Sequence, residues 1–117
     1  MKYFGRDELE CQCGCGFTTV DYELALVLDD VREYFGKPTT INSGCRCEKH
    51  NKAEGGSSNS QHLYGKAADI VVRGVEAGEV YAYLVGKYPG RYGIGKYNGR
   101  THIDVRSGGP ARWDTTK

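Results

Sequence analysis

From Val20 to Phe35 the apolar residues fall at Val20, Leu24, Val27, Leu28, Val31 and Phe35, the three-and-four spacing of one helical face. Thr18 or Thr19 supplies the N-cap, and Gly36 followed by Pro38 stops the run. The inner face of this helix reads as scaffold. A second helix is predicted over 75–88, where Val80, Leu84 and Tyr88 lie four apart and Pro89 closes the segment. Between the two, Thr39–Ser43 is rich in β-branched residues and reads as a short strand. Ala67–Val72 reads as a buried strand with a single charge, Asp69, embedded in it. Further on, Tyr92–Tyr97 and Arg100–Val105 flank Asn98-Gly99, a dipeptide suited to a type I′ hairpin in which both central residues take positive φ. The tail, Ser107–Lys117, contains Gly108-Gly109-Pro110 and is expected to run over the surface with Trp113 as its anchor. These elements make an α+β fold, with helices packed against a small, mostly antiparallel sheet.

Composition narrows the picture. The 117 residues, 38% hydrophobic and with 17 Gly, predict a single domain over 1–117 with many turns. A chain of this size buries roughly two-thirds of its unfolded surface, so it needs neither metal nor disulfide to fold. No internal repeat is present, and Gly55–Ser60 reads as a loop rather than a linker. Sixteen Lys and Arg against fifteen Asp and Glu give a net charge of +1, and the two signs are interspersed. That excludes bulk attraction to nucleic acid. The first eight residues have no apolar core of a signal peptide, and no apolar run reaches about 18 residues. The expectation is therefore a soluble product, made in a cytoplasm, without a signal peptide or membrane insertion. The oligomeric state is left open.

Five cysteines form two groups, Cys11, Cys13 and Cys15 in one and Cys45 and Cys47 in the other. An odd count and cytoplasmic synthesis argue against a disulfide framework, and C-x-C is not the C-x-x-C of common zinc ribbons. Three readings stay open, in this order: small buried side chains, an accessory metal or bridge, and a nucleophilic thiol. Cys45 and Cys47 flank Arg46, so a cluster folding back on this loop would hold that arginine in place.

The densest chemistry lies in Ser60-Gln61-His62-Leu63-Tyr64-Gly65-Lys66-Ala67-Ala68-Asp69 and in Thr101-His102-Ile103-Asp104-Val105-Arg106. His62, Asp69 and His102 supply two imidazoles and one carboxylate, a set that suits zinc with a fourth position open. An unpaired carboxylate in an apolar strand is costly, so a cation or strong donor is expected beside Asp69, unless that strand edge faces water. Gly65, Ala67 and Ala68 are small and let the loop carrying His62 approach the strand. His102 and Asp104 are two apart on a strand and share a face, with Ile103 and Val105 on the other.

The S-x-H-x-x-G-x-A-x-D segment followed by H-x-D on a late strand resembles the zinc D-alanyl-D-alanine carboxypeptidases and endopeptidases, a group that includes phage endolysins and vancomycin-resistance dipeptidases. Hedgehog signalling domains share that fold. Ile41-Asn42-Ser43-Gly44-Cys45-Arg46, with His50-Asn51 after it, is similar to the family's S-G-x-R segment. Tyr92-Gly93-Ile94-Gly95 is similar to the strand before the last ligand. The resemblance runs from about Phe4 to Arg106 and is nearest to short, single-domain phage and prophage members. It implies His62, Asp69 and His102 as zinc ligands, with Ser60 and Arg46 contacting substrate. A guanidinium suits a peptide carboxylate or carbonyl, although a solvated loop charge is the plain alternative for Arg46. The implied partner is the peptidoglycan stem peptide or its cross-link, and the implied place of action is the bacterial cell wall or a virion.

Many members carry Glu or His three residues before the last histidine, where this chain has Gly99. Asp104 is therefore the expected general base, with a competing role of hydrogen-bonding His102 and fixing its tautomer. Glu48 and His50 follow as less favoured bases. The function expected is zinc-dependent hydrolysis of a D-amino-acid-containing amide, as carboxypeptidase or endopeptidase. A catalytically silent zinc domain of the same fold, with a binding or structural role, is the alternative.

Overall fold

The computed structural model describes residues 2–16, 18–56 and 60–116. The first helix forms as α1, Tyr22–Phe35, burying Leu24, Val27, Leu28 and Val31. Its cap is neither Thr18 nor Thr19. Asp21 takes that position, its carboxylate accepting the Glu23 N–H at 2.9 Å, and Val20 packs on the core just ahead of the helix. An aspartate at the N-cap also places negative charge against the positive end of the helix, which a threonine does not. Gly36 ends the helix in the left-handed conformation, as its position predicted.

Strand β1, Thr39–Ser43, follows, and then a short helix α2, Glu48–Ala53, which the apolar spacing did not predict. A single 3₁₀ turn, Gln61–Tyr64, leads into β2, Ala67–Val72. Helix α3 spans Ala77–Lys87, two residues shorter at its start than expected, because the Val75 N–H closes a turn on the Val72 carbonyl at 3.1 Å. Strands β3, Gly93–Tyr97, and β4, Arg100–Asp104, form the expected hairpin. Its turn is not type I′: Gly99 has φ of 80° but Asn98 keeps negative φ. One left-handed residue at the second central position is the type II pattern.

The tail does more than cross the surface. Ala111–Asp114 is a fifth strand, β5, laid parallel to β3. The Arg112 guanidinium fastens it, donating to the carbonyls of Tyr88 and Tyr92 at 2.7 Å each. The sheet order is β1-β2-β4-β3-β5, antiparallel except for that last pair. The α+β class and the mostly antiparallel sheet thus agree with expectation. No helix among the described residues is long and apolar enough to cross a membrane.

Strand alternation divides the sheet's two faces by chemistry. Ala68, Ile70, Val72, Ile94, Ile103 and Val105 join the helix residues Leu24, Leu28, Val80 and Leu84 in one core. The intervening positions Asp69, His102 and Asp104 therefore emerge on the opposite face. Their register is set by the same pairing, since Ser43, Asp69, His102, Gly95 and Trp113 are successive partners across all five strands.

The close approach that Gly65 permits is to Thr19, not to β2. Gly65 has φ of 67°, its carbonyl accepts the Asp21 N–H at 2.9 Å, and a Cβ there would lie 2.2 Å from the Thr19 carbonyl oxygen. Gly65→Ala is expected to cost about 2 kcal/mol or more, from the left-handed backbone and the backbone clash together. Urea unfolding checks this, and a loss below about 0.5 kcal/mol would contradict the packing described.

Candidate metal centre

Asp69 and His102 sit opposite each other on β2 and β4, so the pairing itself brings the Asp69 Oδ1 to 2.9 Å from His102 Nδ1. His62 arrives from the 3₁₀ turn. Ser60 caps that turn by accepting the His62 N–H at 3.2 Å. The His62 ring is held by the Gly44 carbonyl, 2.6 Å from Nδ1, which leaves Nε2 facing Asp69 Oδ2 at 3.6 Å. One donor atom from each of His62, Asp69 and His102 lies within 4.8 Å of the others, and all three residues are buried.

The tautomers follow from the partners. A carbonyl only accepts, so His62 Nδ1 carries the proton and Nε2 presents a lone pair to Asp69. His102 stands between two carboxylates, Asp69 on Nδ1 and Asp104 Oδ2 at 2.7 Å on Nε2. A neutral imidazole has one N–H and can serve only one of them. With Nε2–H given to Asp104, two unprotonated nitrogens and a carboxylate converge, an arrangement that repels itself unless a cation lies among them. Two imidazole nitrogens and a carboxylate oxygen are a donor set that fits zinc.

The ionisation pattern agrees. Burial disfavours the Asp69 carboxylate, but the His102 and His62 rings beside it outweigh that and hold its pKa well below the usual range. Burial likewise lowers the pKa of His102, and the Asp104 and Asp69 carboxylates more than reverse it. The site attracts positive charge.

Asp104 is wholly buried, and both its oxygens are occupied. Arg106 grips it through Nε to Oδ1 and Nη2 to Oδ2, 2.7 Å each, and the Arg106 N–H adds a third bond at 3.2 Å. Burial raises the pKa of this carboxyl, but Arg106 first and His102 second bring it down to about 2. A carboxylate so held is a weak base.

A cleft of about 470 Å³ opens over this row. Arg46, Ser60, Arg100 and Arg106 line it with Tyr97 and Trp113. Arg46 points inward, its Nη2 3.8 Å from Asp69, steadied by Ser43 Oγ at 3.2 Å and Asn51 Oδ1 at 3.3 Å. Trp113 packs its ring against His102, centroids 5.1 Å apart, and donates its N–H to the Tyr97 hydroxyl at 2.8 Å. The ring lies over Gly95, where a Cβ would come within 2.2 Å of it. Glu48 and His50 do not line the cleft; His50, on α2, pairs at 3.5 Å with Glu54 just past the end of that helix. Another depression, about 510 Å³ between 71–78 and the Asn98-Gly99 turn, holds none of the converging groups.

Arg106, Arg100 and Tyr97 had no expected place in the site, and Trp113 was expected only as an anchor for the tail. For Arg106 the signal was present: positions 102, 104 and 106 alternate onto one face as β4 runs out.

A family model for peptidase M15 matches residues 2–104. The chain belongs to the peptidase M15 family. Within this M15 chain, a stretch of 34 residues is 53% identical to the zinc D-Ala-D-Ala carboxypeptidase of Streptomyces albus G. That stretch is 29% of the chain and spans 13% of the length of that relative.

Removing Arg106 strands a buried carboxylate. Arg106→Ala is expected to cost about 3 kcal/mol in urea unfolding, and Arg106→Lys to recover only part, since an ammonium cannot reproduce the two-pronged grip. An Arg106→Ala variant as stable as the parent would remove Asp104 from the account of the site.

Proposed function

We propose that the chain is a zinc-dependent hydrolase of D-amino-acid-containing peptide bonds in bacterial peptidoglycan, with the metal held by His62 Nε2, Asp69 and His102 Nδ1. The observation that carries this reading is the convergence of two imidazole nitrogens on a buried carboxylate at the floor of an arginine-lined cleft. Membership of the peptidase M15 family supports the reaction class. The Streptomyces relative's name supports both the metal and the D-Ala-D-Ala substrate class.

Zinc in such a site supplies Lewis acidity toward a scissile carbonyl and makes water acidic near neutral pH. The chain's own residues bind and orient. Arg46 offers a planar pair of N–H groups to the peptide's carboxylate or carbonyl. The Ser60 oxygen accepts from His62, and its hydroxyl proton is left to give to a substrate carbonyl. Trp113 walls the cleft beside His102. Asp104 acts as a positioning residue: it takes the His102 Nε2 proton and so leaves Nδ1 for the metal, and Arg106 keeps it ionised for that task. Such a substrate puts the place of action at the bacterial cell wall, whether the chain arrives as a lysin or on a virion.

One observation favours a second reading, a zinc domain without turnover. Gly99 and its neighbours Asn98, Arg100 and Thr101 offer no carboxylate or imidazole ahead of His102, and the carboxylate beside it, Asp104, is engaged on both oxygens. A dedicated base is worth about 10²–10⁴ in rate, so slow hydrolysis is the expected form of the activity.

Two experiments test these statements. Mass spectrometry of purified peptidoglycan incubated with the zinc-loaded chain should show released D-Ala or uncross-linked stem peptides, absent with His62→Ala. No product across several wall chemotypes would move the conclusion to the silent domain. Asp104→Asn should weaken zinc binding by about 10–100-fold and regain turnover at saturating zinc. Turnover lost with zinc fully bound would instead make Asp104 the base.

A further inference from the structure

Four of the five cysteines converge well away from the row on the sheet. The sulfurs of Cys11, Cys13, Cys15 and Cys47 all lie within 4.8 Å of one another. Cys11 and Cys13 are 3.4 Å apart, and Cys13 and Cys47 3.7 Å. A disulfide needs about 2.05 Å and joins two sulfurs. Four thiolates around zinc, each at about 2.3 Å, stand about 3.8 Å from one another in a tetrahedron. The observed spacings are those of the second arrangement.

The backbone is shaped for it. In an extended strand, residues two apart are separated by about 6.7 Å, so C-x-C-x-C gathers its sulfurs only where the chain curls. It curls here, with a turn from Cys11 to Gly14 and left-handed φ values of 84° at Gly14 and 83° at Gly16. Two backbone N–H groups already point at the sulfurs, from Cys47 to Cys11 and from His50 to Cys47, both at 3.4 Å. Such donors stabilise thiolates. Cys45 stands apart from the four: its thiol donates to the Leu9 carbonyl at 3.0 Å in the buried seam beneath the loop. Of the five, only Cys11 and Cys45 are buried, so the reading of small buried side chains does not extend to Cys13 and Cys15.

We propose that Cys11, Cys13, Cys15 and Cys47 form a second, structural zinc site that ties the N-terminal segment to the loop carrying Arg46. Binding is an exchange without redox: four thiols release four protons to solvent, and the zinc ion takes their place. Soft sulfur ligands in a closed tetrahedral set favour zinc over harder cations such as magnesium or calcium. The consequence reaches the cleft. Arg46 lies between Cys45 and Cys47, its N–H bonded to the His62 carbonyl at 2.9 Å, and Gly44, two residues earlier, holds the His62 ring. Pinning Cys47 thus steadies both the substrate arginine and the orientation of a cleft imidazole.

The test is zinc counted per chain by elemental mass spectrometry on the full chain purified under reducing conditions, paired with ultraviolet and visible spectra after cobalt(II) substitution. The parent should hold two zinc ions and show a thiolate-to-cobalt charge-transfer band. Cys13→Ser/Cys15→Ser, at two exposed positions, should hold one ion and lose the band. His62→Ala should also hold fewer ions but keep the band, which separates failure of this site from failure of the cleft site. A parent with one ion and no thiolate band overturns the proposal, as does a disulfide among the four in protein that has not been reduced. Should the double variant not fold, the parent's stoichiometry and spectrum decide alone.

Discussion

Asp69 and His102 meet across the β2–β4 pair at 2.9 Å, both buried, with a second carboxylate on the far side of the ring. Buried charge of this kind is tolerated only when it is balanced. Asp104 is balanced by Arg106. Asp69 has the Arg46 guanidinium at a looser 3.8 Å and two imidazole nitrogens aimed at it, so the remaining balance falls to a proton or a metal. The need for a cation is built into the sheet register, because moving either strand by one residue would turn the pair toward the apolar core.

Everything else at the site serves that rung. The core face holds β2 and β4 in place through Ile70 and Ile103, and the loops then bring outside groups to the other face. The segment before α2 contributes twice, through the Gly44 carbonyl that sets the His62 tautomer and through Arg46. The Cys11–Cys47 cluster anchors this segment from behind. The tail contributes once, laying Trp113 over Gly95 and against His102. Rigid strands carry Asp69, His102 and Asp104, while capped loops carry the remaining groups.

Much of this was legible in the residues. The spacing of Leu24, Val27, Leu28 and Val31 specified α1, and the alternation of His102 and Asp104 with Ile103 and Val105 specified which face each would take. The family segment around His62 pointed to His62, Asp69 and His102, and the fold brings their donor atoms within 4.8 Å of one another. What escaped was set by tertiary partners rather than local pattern. Asp21 took the cap because the Gly65 carbonyl fixes its backbone. β5 is four residues long and pairs in parallel across a long connection, so it left no periodic trace. The grip of Arg106 on Asp104 depends on how β4 leaves the sheet, and α2 is too short to show a helical period.

In the proposed centre His62 and His102 meet one metal through different ring nitrogens, Nε2 and Nδ1, with Asp69 between them. Anomalous diffraction at the zinc edge from crystals of the zinc-loaded chain tests it most directly. A cleft peak is expected about 2.0–2.2 Å from those two nitrogens and from an Asp69 oxygen, with the His102 Nε2–H still on Asp104. A metal bound through His102 Nε2 and Asp104, or no metal in the cleft, would contradict it.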